Sequence, residues 1–181
     1  MTSSNPTYGT VLNKNDVQDK QSGPVAVSIT LAIGLVYKDG ADGWKQAPTD
    51  GSIHADQLYW NPISLTSTAT LGEVVGTFYG EGARVVGKAD GAIVVDNYCK
   101  ASTTSSHGGQ FQSLADPSDA TVGATFGGGT ATETAINAIR NWQRTKVAIY
   151  KGHALELNQV DDLPTDAVDE DTNGVYEIVR G

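Results

Sequence analysis

The stretch from Val74 to Ser102 constrains the fold more than any other part of this 181-residue chain. Pairs of adjacent valines are separated by breaks that contain glycine, at Gly80, Gly82 and Asp90-Gly91. Short apolar runs between such breaks are typical of short strands joined by tight turns. Asp90-Gly91 suits a two-residue hairpin, because glycine accepts a positive φ without steric cost. The centre of the chain is therefore predicted to be a β-meander with no catalytic signature inside it.

A second strand signal runs from Pro24 to Tyr37, where apolar residues occupy every other position from Val25 to Ile33. A period of two over this length predicts a strand, in which Gly34 introduces a bend or a bulge. The chain has 21 glycines and an apolar content of 39%, which favour β-structure with many turns over helical packing. We predict a mainly β fold, a barrel-like or sandwich meander of short antiparallel strands with one α-helix packed on it.

That helix is predicted near residues 131–144. Apolar side chains recur there at helical spacing, and two cations lie near the C-terminal end, where they suit the helix dipole. The apolar residues are Ala135, Ile136, Ile139 and Trp142, and the cations are Arg140 and Arg144. A single amphipathic helix of this length is expected to pack over a sheet or a barrel mouth.

Composition divides the chain into three regions: an extended N-terminal arm (1–23), a β-rich core domain (24–157) and an acidic C-terminal segment that ends in a strand (158–181). The formal charge of −9 is uneven, since residues 1–155 hold 13 acids and 11 bases, whereas residues 156–181 hold 8 acids and 1 base. This acidic balance argues against nucleic acid as a partner. We also expect no membrane partner and no secretory signal, because long apolar runs and a basic start are missing.

The N-terminal arm carries few large apolar side chains, namely Tyr8, Val11, Leu12 and Val17. Such a segment is expected not to bury itself. It is either a frayed terminus or an arm that adds a strand to the open sheet edge of a partner. In the second interpretation, these four side chains are the contact residues.

Three aromatic residues and one acidic run suggest binding sites. Trp44, Tyr59 and Trp60 are either a platform on which a carbohydrate stacks or anchors of the core or of an interface. Asp169 to Asn173 begins like a calcium-binding loop, with oxygen ligands at alternating positions followed by a glycine. Arg180 stands at the twelfth position, where such a loop has a bidentate glutamate, so a solvated acidic turn is the alternative.

Catalytic signals are weak. Ser105 and Ser106 precede His107 directly, but adjacency is not a triad, which needs a base across the fold and an oxyanion hole. The three histidines share no metal-ligand spacing. Cys99 is the sole cysteine, so no internal disulfide can form, and we expect a buried or half-buried thiol in a strand. The residues therefore predict a protein that is not an enzyme and that has no cofactor and no metal site.

Two phrases of the central stretch point to a family. Lys88–Ile93 (KADGAI) and Tyr98–Ser102 (YCKAS) resemble the core of capsid decoration, or cement, proteins of tailed viruses. Thr121–Ala124 is similar to a later strand of those proteins, and Pro24-Val25 to their first core strand. The resemblance extends over about residues 24–150.

This resemblance implies a β-barrel-like virion protein, often a homotrimer, bound on the outside of an icosahedral shell. Its partner would be the major capsid protein, its role mechanical, and its N-terminal arm would reach onto the shell. The alternative from the residues is a surface or secreted β-domain that binds carbohydrate through the three aromatics, assisted by calcium at Asp169–Asn173.

Overall fold

A computed structural model describes residues 7–117, 130–153 and 173–180. Within these ranges the chain forms two five-stranded antiparallel sheets, a two-stranded ribbon and one α-helix. The predicted mainly β class with a single helix is confirmed. The bounds of the strands, in chain order, are β1 Lys20–Pro24, β2 Thr30–Leu31, β3 Gly34–Asp39, β4 Gly43–Gln46, β5 Leu58–Asn61, β6 Leu65–Thr66, β7 Val75–Tyr79, β8 Arg84–Lys88, β9 Tyr98–Ala101, β10 Phe111–Ser113, β11 Ala148–His153 and β12 Asn173–Ile178. The helix α1 spans Thr130–Thr145, and a 3-10 turn spans Ala55–Gln57.

The first sheet has the order β1-β7-β5-β3-β4, and the second has the order β10-β9-β11-β12-β8. Each sheet curls until its two edges meet at a single parallel bridge. In the first sheet, Val25 bridges to Trp44 in β4 directly after β1 ends. In the second sheet, Ala89 bridges to Phe111 in β10 directly after β8 ends. The two bridges leave each five-stranded sheet nearly closed.

The main core lies between the two sheets. Leu35 and Trp60 from the first sheet pack in one buried cluster with Val85, Phe111 and Tyr176 from the second. The Trp60 and Phe111 rings are stacked with centroids 5.5 Å apart, and Phe111 stacks on Tyr176 at 4.0 Å. Large aromatic side chains bury the most apolar surface per residue, so this stack holds the sheets together.

A second core covers the other face of the first sheet. It contains Val25, Leu31, Val36, Trp44 and Phe78, all with at most 1% of their surface exposed. The stacked rings of Trp44 and Phe78 have centroids 4.2 Å apart. Strands that bury side chains on both faces explain why the first sheet lacks a simple polar-apolar alternation.

The helix lies within one residue of its predicted ends. Ala135 is buried, and the helix contacts the 3-10 turn at Ala55–Gln57. Nearer its C-terminal end, the Trp142 ring meets the Tyr98 ring of β9 in the second sheet edge-on at 5.1 Å. The ammonium group of Lys146 lies 5.0 Å from the centroids of both rings. Ile136, which was predicted on the apolar face, is 42% exposed.

The single strand predicted from Pro24 to Tyr37 is wrong. The chain turns between β1 and β2, where Ser28 has a φ of 57° and its amide donates to the carbonyl of Thr68. Val27 is consequently 41% exposed, although the alternating pattern placed it on the same face as Val25, which is 1% exposed. The hydrogen bond to a segment 40 residues away overrides the local pattern.

The hairpin predicted at Asp90-Gly91 does not form. Strand β8 pairs with β12, whose residues Val175 and Tyr176 lie opposite Val86 and Val85. The strand at the end of the acidic segment therefore exists, but it lies inside the second sheet between β11 and β8. It belongs to the body of the protein and not to an appendage.

Candidate functional site

The N-terminal segment lies on the body of the protein from residue 7 onward. Residues 9–12 run antiparallel to β8, and Val11 lies opposite Val85. Three backbone hydrogen bonds hold them: Gly9 N to Val86 O (2.9 Å), Val86 N to Thr10 O (2.8 Å) and Leu12 N to Arg84 O (2.8 Å). The expectation that this arm cannot bury itself is wrong for residues 7–23, because its own chain supplies the sheet edge. We call residues 9–12 the N-terminal strand.

The four predicted contact residues lie in different environments. Tyr8 is half-buried, its hydroxyl donates to the carbonyl of Ile33 (2.6 Å), and its ring meets Trp60 edge-on at 6.4 Å. Val17 is 4% exposed and belongs to the main core. Val11 is half-buried against the same core, whereas Leu12 is 39% exposed. Leu12 is thus the most exposed of the four; whether the segment contacts a capsid stays a prediction.

Asp19 anchors the chain where the N-terminal segment enters β1. Its carboxylate accepts hydrogen bonds from the Tyr59 hydroxyl (3.2 Å) and the Glu81 amide (3.0 Å), and pairs with the guanidinium of Arg180 (2.8 Å). That guanidinium lies 3.9 Å from the centroid of the Tyr59 ring. Asp19 thus ties the N-terminal segment to β5, to the β7–β8 turn and to residues that follow β12.

An open depression of about 550 Å³ lies beside the N-terminal strand. Its apolar lining comes from Tyr8, Val11, Ile33, Ile63 and Tyr79, and Lys14 also lines it. Ile63 is 56% exposed, which is high for an isoleucine next to other apolar groups. We call this feature the Ile63 groove. Together with Leu12, it gives the surface around the N-terminal strand an apolar character.

Replacing Gly9 by alanine is expected to loosen the N-terminal strand. Gly9 has a φ of +90°, and an added Cβ would overlap the carbonyl oxygen of Pro62 and lie 3.1 Å from the Ile33 side chain. Trypsin should then cleave after the exposed Lys14 about tenfold faster than in the wild type, since cleavage follows local opening. Gly91→Ala is the matched control, because Gly91 has a φ of +84° with no atom within 4 Å. Equal cleavage rates in the two variants would contradict this description of the strand.

A buried polar cluster forms around Asp90, at the end of β8. Its carboxylate accepts hydrogen bonds from Ser102 Oγ (2.6 Å), Thr104 Oγ1 (2.8 Å) and His107 Nδ1 (2.8 Å). Asp90 is only 8% exposed and the His107 side chain 15%. The cluster pins the 102–110 loop to the bridge between β8 and β10, since Asp90 N also donates to Phe111 O (2.6 Å).

Opposing effects set the ionisation of this carboxylate. Burial by itself raises the pKa of Asp90, but the hydrogen bonds from two hydroxyl groups and the His107 ring outweigh it, so the pKa lies below its ordinary value. Asp90 is therefore a carboxylate at neutral pH, and Nδ1 of His107 carries the proton that it donates.

The sequence interpretation missed this cluster. His107 was considered with its neighbours Ser105 and Ser106, both of which are exposed, and with the other two histidines as a metal ligand, but not with Asp90. The Ser102 hydroxyl donates to Asp90 rather than to His107, so the histidine is not placed to activate this serine. The geometry supports a loop anchor. The sequence feature that could have indicated the cluster is the Asp90-Gly91 turn, followed twelve to seventeen residues later by Ser102, Thr104 and His107.

The aromatic residues proposed for carbohydrate stacking lie in the cores. Trp44 and Trp60 are 1% and 0% exposed, and Tyr59 is half-buried against Trp44 at 5.2 Å. The interpretation of these rings as an exposed platform is wrong for both tryptophans, because stacking on a sugar requires an accessible ring face.

Cys99 is fully buried in β9, and burial raises the pKa of its thiol to about 12. Ellman's reagent at pH 8 should therefore modify Cys99 at least about 1,000-fold more slowly in the folded protein than in urea, because the thiolate is the reactive form. Rapid labelling of the folded protein would show that β9 is accessible.

The calcium interpretation rests on Asp169–Asn173, of which residues 169–172 lie outside the described residues. Within residues 7–117, 130–153 and 173–180, no three His, Cys, Asp or Glu side chains are arranged to hold a metal ion. The same part of the chain contains no helix that is long and apolar enough to span a bilayer.

Comparison with known proteins adds no family. No model of a known protein family matches this chain. No curated protein is significantly similar to it.

Proposed function

We propose that this protein is a structural component of a virion that binds the outside of an icosahedral capsid. In this proposal it stabilises contacts between copies of the major capsid protein and works mechanically, without turning over a substrate. The two phrases that resemble capsid decoration proteins, Lys88–Ile93 and Tyr98–Ser102, lie around β8 and β9 of the second sheet. The proposal also includes a homotrimer at the capsid surface, with neither nucleic acid nor membrane as a partner.

The surface around the N-terminal strand is the observation that carries this proposal. Protein interfaces combine an apolar centre with a polar rim, and extended segments add main-chain hydrogen bonds. The Ile63 groove supplies apolar and aromatic side chains, and Lys14 stands at its edge. The N-terminal strand beside it is bound to β8 through backbone atoms. This combination favours contact with another protein surface.

Shell binding is tested with Ile63→Asp and its matched control Val94→Asp. The two side chains are similarly exposed, 56% and 51%, but Val94 does not line the Ile63 groove. Each protein is mixed with undecorated shells of the major capsid protein encoded in the same genome, and the shells are sedimented. A buried carboxylate at the contact should weaken binding by about 100-fold for Ile63→Asp, while Val94→Asp binds like the wild type.

Two outcomes would count against the proposal. If the wild-type protein stays in the supernatant at every shell concentration, the proposed capsid binding is wrong. If both variants bind equally well, the Ile63 groove is not the surface that contacts the shell.

A further inference from the structure

The bonds between the N-terminal strand and β8 do not depend on which copy of the chain supplies the strand. All three inter-strand hydrogen bonds join backbone atoms. Two more join the Asn13 side chain to the backbone of the β7–β8 region: Nδ2 donates to Gly82 O and Oδ1 accepts from Arg84 N, both at 2.8 Å. A second copy would present the same edge with the same donors and acceptors.

A short, exposed turn connects the N-terminal strand to the rest of the chain. Residues 14–16 are exposed, and the turn is closed by one backbone hydrogen bond, Asp16 N to Asn13 O (2.9 Å). Directly after the turn, Val17 is buried and Asp19 is held by three side-chain contacts. Opening the turn would therefore leave the anchor at Val17 and Asp19 in place. Residues 7–13 are also held by the hydrogen bonds from the Tyr8 hydroxyl to Ile33 O and from Trp60 Nε1 to Gly9 O, and a neighbouring copy offers the same groups.

A sheet edge such as that of β8 is a site at which another chain can pair, and here a short segment on an exposed turn covers it. When identical elements are exchanged between copies, the contacts are kept and only the connection changes, so exchange costs little. A strand passed from each copy to the next is a head-to-tail contact, which closes into a ring when the rotation allows.

We infer that residues 7–13 exchange between copies of this chain, so that each copy pairs its N-terminal strand with β8 of its neighbour. This inference rests on the homotrimer in the proposed function and names the element that joins the copies. In the exchanged arrangement, the strand crosses from one copy to the next, and the half-exposed Leu12 lies at the junction between them.

The exchange can be trapped with cysteines at positions 11 and 85. Val11 and Val85 form a non-hydrogen-bonded antiparallel pair, in which Cα atoms are about 4.5 Å apart, close enough for a disulfide. Purified Val11→Cys and Val85→Cys proteins are mixed without any shell and oxidised gently. Cys99 is fully buried and stays out of the reaction. We expect a mixed disulfide dimer at a yield about tenfold above that from Val94→Cys mixed with Val85→Cys.

The double variant Val11→Cys/Val85→Cys supplies the reverse test. Oxidation in a dilute solution should join the two strands within one chain, and light scattering should then show monomers that regain the oligomer when a reductant is added.

The outcomes separate this inference from the proposed function. Oligomers without a mixed disulfide above the control would overturn strand exchange and leave the homotrimer standing. Monomers at every concentration would overturn both. Oligomers of the oxidised double variant equal to those of the wild type would also overturn the exchange.

Discussion

Replacing Gly43 by alanine is expected to lower the free energy of unfolding by about 3 kcal/mol or more. Gly43 begins β4 with a φ of +101°, and an added Cβ would lie 2.7 Å from Pro24 O and 3.1 Å from Ala26 N. These are backbone atoms that cannot rotate away. They belong to the segment that closes the first sheet, where Ala26 N donates to Trp44 O (3.0 Å). The variant must therefore open the seam between β1 and β4.

Gly72→Ala isolates the steric part of this effect. Gly72 has nearly the same backbone conformation, with a φ of +97°, but no atom lies within 4 Å of the added Cβ. Only the conformational cost remains, about 1 kcal/mol. Urea denaturation of both variants measures the difference. If the two alanines lowered stability equally, the close approach at Gly43 would not exist.

Removing the charge of Asp90 is the second change with a large expected effect. Asp90→Asn should lower the free energy of unfolding by about 3 kcal/mol, because a buried carboxylate that accepts three hydrogen bonds is replaced by an amide that cannot accept them all. Asp96→Asn removes the same charge from a carboxylate that is 76% exposed and 3.3 Å from Lys151. That control should cost less than about 0.5 kcal/mol, as exposed ion pairs contribute little.

The wild type and Asp90→Asn together test how stability depends on pH. The pKa of Asp90 is lower in the folded protein than in the unfolded chain, so its stabilisation is complete above the unfolded value of about 4 and is lost as the pH falls through the folded value. As the pH falls below about 4, the wild type should lose stability more steeply than Asp90→Asn. Parallel curves for the two proteins would mean that Asp90 does not titrate with a lowered pKa.

The parts of this fold that follow from short sequence windows were predictable. Helix α1 needs only the spacing of residues such as Ala135 and Trp142, and its ends were predicted to within one residue. The β class follows from the glycine breaks and short apolar runs. Whether Trp44 and Trp60 lie in a core or on a surface was left open, because an aromatic residue suits both environments.

The parts that depend on distant partners were not predictable. The polar N-terminal segment has too few apolar residues to fold alone, but β8, more than 70 residues later, offers it a backbone edge. The Val175-Tyr176 region completes the second sheet from the far end of the chain. Asp90 was interpreted as a turn residue, whereas its carboxylate accepts hydrogen bonds from side chains within residues 102–107. In each case, the deciding hydrogen bonds join segments that no local pattern connects.

Imaging decorated shells by electron cryomicroscopy tests the proposed function most directly. Shells of the major capsid protein are incubated with the purified chain and reconstructed beside untreated shells. The proposal predicts added density on the outer surface where capsid proteins adjoin, with the Ile63 groove facing the shell. Shells that look identical with and without the chain, at concentrations well above that of the shell subunits, would contradict it.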